Sequence, residues 1–188
     1  MKRIGILGGT FNPPHIGHLI IANEVQVKLN FDEIWFMPNQ EPPHKETLNG
    51  VSGHHRSEMV QRAIASNPKF KLQSIELERP GRSYTYDTMM LLTKKYNYRF
   101  YFIIGADMIE YLPNWYKIDE LVKVVTFVGV NRPEYNKESD YPITYVDVPN
   151  VEISSLMIRD RLKEGKSIFY LVPESVREYI EENRLYET

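Results

Sequence analysis

Two histidines three residues apart, His15 and His18, follow Gly8-Gly9-Thr10-Phe11 and Pro13-Pro14 near the start of the chain. At a helix start, that spacing puts both rings on one face of the first turn. Imidazoles there can donate hydrogen bonds to phosphate oxygens. The helix N-terminus adds unpaired N–H groups and the positive end of its dipole. A second polar constellation lies far along the chain, where Ile153-Ser154-Ser155 precedes Arg159. Ser155 and Arg159 are four apart, on one helical face. Each feature alone has an ordinary explanation: histidines cap helices, Ser154 is a good N-cap, and a helical arginine is usually solvated. The two become a pocket only if the fold brings both helix starts to one crevice.

The elements that would do so are legible. The apolar stretch Lys2 to Leu7 reads as an inner parallel strand. Gly8-Gly9 permits a tight turn and close approach of the backbone to a ligand, and a helix begins near Ile16. Glu33 to Met37 reads as a second strand, ended by Pro38. The stretch from Asn39 to Gly53 has no periodicity and contains Pro42-Pro43-His44-Lys45, a long loop of the kind that is often functional. A helix from His54 to Ser66, a strand from Phe70 to Leu77 and a turn through Pro80-Gly81 come next. Tyr84-Thr85-Tyr86-Asp87 then leads into a helix reaching Tyr96, with Thr85 or Asp87 as its cap. Arg99 to Ile104 is a fourth strand ending at Gly105-Ala106-Asp107, where Asp107 could cap a helix or meet a ribose hydroxyl. Asp119 to Val124 is a short helix. Val125 to Val130 and Ile143 to Val148 are strands five and six, with Asn131-Arg132-Pro133 between them. Ser154 caps a helix running to Lys163, and Pro173 opens a last helix reaching Leu185. Alternating strands and helices predict a Rossmann-like, doubly wound parallel α/β sheet, with residues 1–188 as a single domain. In such a sheet every strand aims its C-terminal end at the same edge, so the first helix and the one after the last strand can face one crevice.

Composition narrows the function classes. The chain has 188 residues, a net charge of −2 and no cysteine. The charge gives no broad basic surface and argues against non-specific nucleic-acid binding. Without cysteine there is neither a disulfide framework nor thiol catalysis. No apolar run reaches membrane-spanning length and no signal peptide precedes the first strand, so the expected location is the cytoplasm. The glycine turn lacks the G-x-G-x-x-G of dinucleotide folds and the Gly-Lys-Ser/Thr of a Walker loop.

The run GGTFNPPHIGHL resembles the signature of the nucleotidyltransferases that carry His-x-Gly-His, and among them the bacterial nicotinate-nucleotide adenylyltransferases. The resemblance extends over nearly the whole chain. It includes Ile153-Ser154-Ser155 with Arg159, although Leu156 stands where that family often has a hydroxyl residue. It implies transfer of the adenylyl group of ATP to nicotinate mononucleotide, with release of pyrophosphate. His18 would contact the α-phosphate and His15 the phosphates beside it. Gly8, Gly9, Thr10 and Phe11 would line the nucleotide with Ile153, while Ser155 and Arg159 would hold the triphosphate from the other side. Gly105, Asp107 and Arg132 would serve the donor nucleotide. Asn39 would bind the acceptor, His44 and Lys45 would lie near its phosphate, with Lys45 meeting it, and Thr85, Tyr86 and Trp115 would hold the nicotinate ring.

The residue inventory fits that chemistry. A phosphate monoester is largely a dianion at neutral pH, because its second pKa is about 6. It therefore attacks without a catalytic base or a covalent enzyme nucleophile. Holding two anions in line and stabilising charge then suffices. No carboxylate cluster dedicated to a metal is visible, so Mg²⁺ is expected to arrive with the triphosphate. The expected partners are the two nucleotides, with neither nucleic acid nor membrane, and a homo-oligomer is compatible with the sequence. Two rivals stay open. One is a related transferase with pantetheine phosphate as acceptor or a cytidylyl donor; the other is a non-enzymatic nucleotide-binding module on the same fold.

Overall fold

The computed structural model describes residues 1–40, 51–131 and 139–187, except the side chains of Asp107 and Asn131. Six strands form one parallel sheet: β1 (Arg3–Gly9), β2 (Glu33–Pro38), β3 (Phe70–Leu72), β4 (Arg99–Gly105), β5 (Thr126–Asn131) and β6 (Ile143–Asp147), in the order β3-β2-β1-β4-β5-β6. The helices are α1 (Ile16–Leu29), α2 (Gly53–Ile64), α3 (Thr85–Lys95), α4 (Ala106–Tyr111), α5 (Ile118–Val124), α6 (Ser155–Lys163) and α7 (Glu174–Glu182), with a 3₁₀ turn at Leu112–Asn114. This is the doubly wound, Rossmann-like architecture expected from the alternation of elements.

Side-chain alternation along the inner strands gives the sheet two apolar faces. Leu7, Ile34, Phe36, Tyr101, Ile103 and Val128 belong to the core that includes Val25, Val60, Ile158 and Ile180 of α1, α2, α6 and α7. Ile4, Ile6, Trp35, Met37, Phe100, Phe102 and Phe127 belong to the other, with Met89, Ile109 and Leu121 of α3, α4 and α5. Both faces of an all-parallel sheet must be covered, so near-continuous apolar runs such as Ile34-Trp35-Phe36-Met37 are what these strands need.

The strand order fixes the crevice. The chain moves outward from β1 through β2 to β3, then crosses back to place β4 on the other side of β1. The winding direction therefore reverses between β1 and β4, and the gap beyond their carboxyl ends is where ligands of such sheets sit. Gly8-Gly9 ends β1 and Gly105 ends β4.

Three expectations need correction. The predicted strand Phe70–Leu77 ends at Leu72. Gln73 still donates to the Phe36 carbonyl, but the Ser74 carbonyl then accepts from both Leu77 and Glu78, closing a turn. Neither Thr85 nor Asp87 caps α3, whose N-cap is Tyr84. Asp107 lies inside α4, with Gly105 as N-cap, so it is not the cap of that helix.

Candidate active site

A cavity of about 890 Å³ opens at the β1/β4 switch point. Its wall brings together Gly8, Gly9, Thr10, Phe11, His15, His18, Asn39, Thr85, Gly105, Trp115, Ile153, Ser155 and Arg159, drawn from segments far apart in sequence. Tyr86 is not in that wall. Its ring faces Tyr116 and the Lys117 ammonium, 4.8 Å from the ring centre. His44, Lys45 and Arg132, and the side chain of Asp107, lie outside the described residues.

The histidine pair is built by local constraint. His15 is the N-cap of α1, and its backbone N–H donates to His18 Nδ1 at 3.1 Å. The two rings stack with centres 3.7 Å apart, and Phe11, at a positive φ of 50°, sets its edge against His18 at 5.0 Å. Gly17 makes the stack possible: a Cβ there would come within 3.0 Å of His15 Nδ1 and 3.1 Å of its Cε1. The glycine of His-x-Gly-His thus leaves room for a ring, not for an unusual backbone angle. Accepting a hydrogen bond at Nδ1 leaves Nε2 of neutral His18 with the ring proton, a donor. Burial keeps both rings neutral. It lowers the His15 pKa to about 4, and it pushes His18 well below the usual range, reinforced by the neighbouring His15.

The start of α1 is less available to an anion than the sequence implies. The Ile16 N–H donates to the Leu171 carbonyl at 2.9 Å, and the His18 N–H to the His15 carbonyl at 3.0 Å. The start of α6 is the open one at the cavity. Ser154 Oγ caps the Met157 N–H, while Ser155 and Leu156 sit in the first turn and line the wall. Their N–H groups have no acceptor within the helix by its geometry. A backbone donor at Leu156 does not depend on the missing hydroxyl, and the leucine side chain stands exposed at the rim.

Ser155 and Arg159 also hold the loop that carries the histidines. Ser155 Oγ donates to the Pro13 carbonyl at 2.8 Å, and Arg159 Nη1 to the Asn12 carbonyl at 2.7 Å. On the other side of this loop, buried Arg56 donates to the Thr10 carbonyl at 2.9 Å, and the Tyr186 hydroxyl donates to Asn12 Oδ1 at 2.5 Å. Sequence reasoning passed over both residues. Arg56 carried a signal, because it falls on the apolar stripe of α2 with Met59, Val60 and Ala63. Tyr186 follows α7 in an irregular tail, with no periodicity to mark it.

Buried polar atoms without a partner among the described residues concentrate in the cavity wall: His15 Nδ1, Asn39 Oδ1, Trp115 Nε1 and Arg159 Nε. Such atoms are rare in folded proteins because each costs desolvation without a return bond. All four belong to residues of the wall, with the atoms themselves buried in it, and His15 Nδ1 lies against Gly17. Trp115 packs edge-on between Phe102 and Phe127, each 5.8 Å away, and still contributes to the wall.

Residues 6–161 match the cytidylyltransferase-like family. The chain is 56% identical over 189 aligned positions to the nicotinate-nucleotide adenylyltransferase of Bacillus subtilis strain 168, covering 100% of both. Its fold is similar to that of the nicotinic acid mononucleotide adenylyltransferase of Plasmodium falciparum, solved in complex with APC and with NaAD. Both comparisons give a TM-score of 0.81 over 99% of this chain and 98% of the other, at 22% and 23% identity. With Gly8-Gly9 ending β1 in the sheet rather than forming the expected turn, and with the paired histidines and the Ser155–Arg159 helix gathered at that sheet edge, the chain belongs to the nicotinate-nucleotide adenylyltransferases of the cytidylyltransferase-like family.

Proposed function

We propose that this enzyme transfers the adenylyl group of ATP to nicotinate mononucleotide, giving nicotinate adenine dinucleotide and pyrophosphate as a step in NAD biosynthesis. The observation that carries the reading is the convergence of His15 and His18 with Ser155 and Arg159 on the β1/β4 crevice, on a chain so similar to a named adenylyltransferase. A cytoplasmic setting suits an enzyme fed by ATP. Among the described residues, no helix is long and apolar enough to cross a membrane.

In the proposed reaction the acceptor phosphate oxygen attacks the α-phosphorus. A new P–O bond forms, the bond from the α-phosphorus to the bridging oxygen breaks, and pyrophosphate leaves with the electron pair. The dianionic phosphate needs no base. Neutral His18 donates its Nε2–H to an α-phosphate oxygen, and His15 buttresses it. The Gly8–Phe11 segment and Gly105 flank the donor nucleotide. Arg159 Nε and the first-turn amides of α6 face the triphosphate. Thr85 offers a backbone donor to the acceptor's carboxylate from the start of α3, and Trp115 offers its ring. Among the described residues, no group of three or more histidine and acidic side chains could hold a metal. A divalent cation such as Mg²⁺, held by the triphosphate itself, would supply charge neutralisation at the leaving group.

Pyrophosphate release from ATP tests the reading against a panel of nicotinate mononucleotide, nicotinamide mononucleotide and phosphopantetheine. Nicotinate mononucleotide is expected to give the highest kcat/KM. Preference for phosphopantetheine, or no release with any acceptor, would overturn it.

A further inference from the structure

Glu76 is a buried carboxylate in the cavity wall that the reaction does not use. It sits in the turn after β3, where three segments converge. The Thr88 hydroxyl, inside α3, donates to Glu76 Oε1 at 2.8 Å and also lies 3.2 Å from the Tyr84 carbonyl at the start of that helix. The Ser83 hydroxyl bonds to the same carboxylate. Ser83 Oγ in turn accepts from the Gln40 N–H at 3.1 Å, at the exit of β2. One carboxylate thus ties the first turn of α3 to the end of β2, two walls of the cavity that also hold Asn39 and Thr85. A carboxylate suits this vertex because it only accepts, so two hydroxyls can both aim at it.

We propose that Glu76 is a positioning residue for the acceptor nucleotide, setting, through Ser83 and Thr88, the spacing between the start of α3 and the exit of β2. The proposal rests on the adenylyltransferase reading, since it concerns the acceptor half of that site. It also accounts for a cost. Burial pushes the Glu76 pKa up to about 6, against the lowering effect of Thr88, Ser83 and nearby Arg79. The folded protein therefore holds a charge at neutral pH that its surroundings disfavour. Groups kept against stability in this way are found where function needs them.

Glu76→Gln separates the two roles. The amide nearly preserves shape, but its NH₂ donates where the carboxylate only accepted, so one of the two hydroxyls must reverse from donor to acceptor, as Thr88 can by donating to the Tyr84 carbonyl, or turn away. At pH 7.5 the variant is expected to melt at a higher temperature than wild type. Its KM for nicotinate mononucleotide should rise about tenfold while its KM for ATP stays within twofold; one tenfold step is about 1.4 kcal/mol. Calorimetry with nicotinate mononucleotide alone should show the same weakening. The ratio of wild-type to variant kcat/KM should fall toward one between pH 7.5 and pH 5.5, because protonated Glu76 resembles the amide. Taking the ratio removes the titrations common to both proteins, those of the acceptor phosphate, His15 and His18. Should Glu76→Gln not fold, Ser83→Ala removes one of the two ties and should show the same split between the two KM values. An unchanged acceptor KM with a raised melting temperature, or equal rises in both KM values, would overturn the proposal. A wild type inactive with nicotinate mononucleotide would instead overturn the reading on which it rests.

Discussion

Replacing Gly17 by alanine puts the histidine stack to a quantitative test. The added Cβ would lie 3.0 Å from His15 Nδ1 and 3.1 Å from Cε1. Favourable contacts between such atoms begin near 3.5 Å, so the ring must give by a few tenths of an ångström. The ring is buried and stacked at 3.7 Å on His18, so any retreat disturbs that partner. A misplacement of about 1 Å in a reacting constellation costs on the order of 10² in rate, so a few tenths of that should cost roughly 3- to 10-fold in kcat/KM. The fold should be almost indifferent. Alanine is favoured over glycine within a helix by up to about 1 kcal/mol, which offsets strain at the ring. For a chain of this size that amounts to only about 2–4 °C in Tm. Pyrophosphate release at varied ATP, with a melting curve on the same preparation, reads both quantities. A Gly17→Ala enzyme with kcat/KM within twofold of wild type would refute the claim that this glycine exists to seat His15. A variant that unfolds would refute the claim that the contact is local.

Other perturbations separate the remaining parts. His18→Ala should lower turnover by roughly 10² or more, the scale for losing one donor to developing charge, and should also lower Tm, because it orphans the His15 N–H and removes a stacked ring; near-normal turnover in the folded variant would remove His18 from the mechanism. Arg159→Lys can keep one bond to the Asn12 carbonyl but not the planar fork that would also face a triphosphate. Its KM for ATP should rise about tenfold while the acceptor KM holds, and normal ATP use would show that the arginine serves only the loop. Tyr186→Phe strands buried Asn12 Oδ1 and should cost about 1–3 kcal/mol in urea unfolding. For pH, His15 titrates near 4 when folded and near 6.5 when unfolded, so the unfolded chain binds more protons between those values and stability falls on acidification across that window. Glu76 has the opposite sign, because its folded pKa of about 6 exceeds its unfolded value of 4.5 and its charge costs about 2 kcal/mol above pH 6. Glu76→Gln should therefore lose more stability than wild type between pH 7 and pH 4.5, and equal losses would contradict the Glu76 assignment.

The sequence displayed the parts of the site whose physics is local. A buried strand, two glycines and a helix opening with His-x-Gly-His can be read from adjacent residues. So can the Ser154 cap, which the structure bears out with its bond to Met157. The parallel sheet also followed, because short apolar runs alternate with helical patterns. What stayed hidden depends on contacts between distant segments. The Leu171 carbonyl occupies the Ile16 N–H from 155 positions along the chain, and no local pattern announces that. Tyr86 follows Thr85 in sequence, yet the helix turns its ring toward Lys117 and away from the cavity. The alternation after Leu72 continues in sequence, but the Ser74 turn ends the strand and delivers Glu76 to the cavity wall. Arg56 was legible in principle, since a charged residue in register with an apolar stripe marks a buried cation.

The central claim is a single in-line displacement, in which neutral His18 donates a hydrogen bond, His15 supports it, and neither forms a bond to phosphorus. The stereochemical course at the α-phosphorus tests this most directly, using ATP made chiral there by sulfur substitution and nicotinate mononucleotide as acceptor. One displacement predicts inversion of configuration in the dinucleotide product. Retention would mean two displacements through an adenylylated residue, and would contradict the reading of His18 as a donor supported by His15.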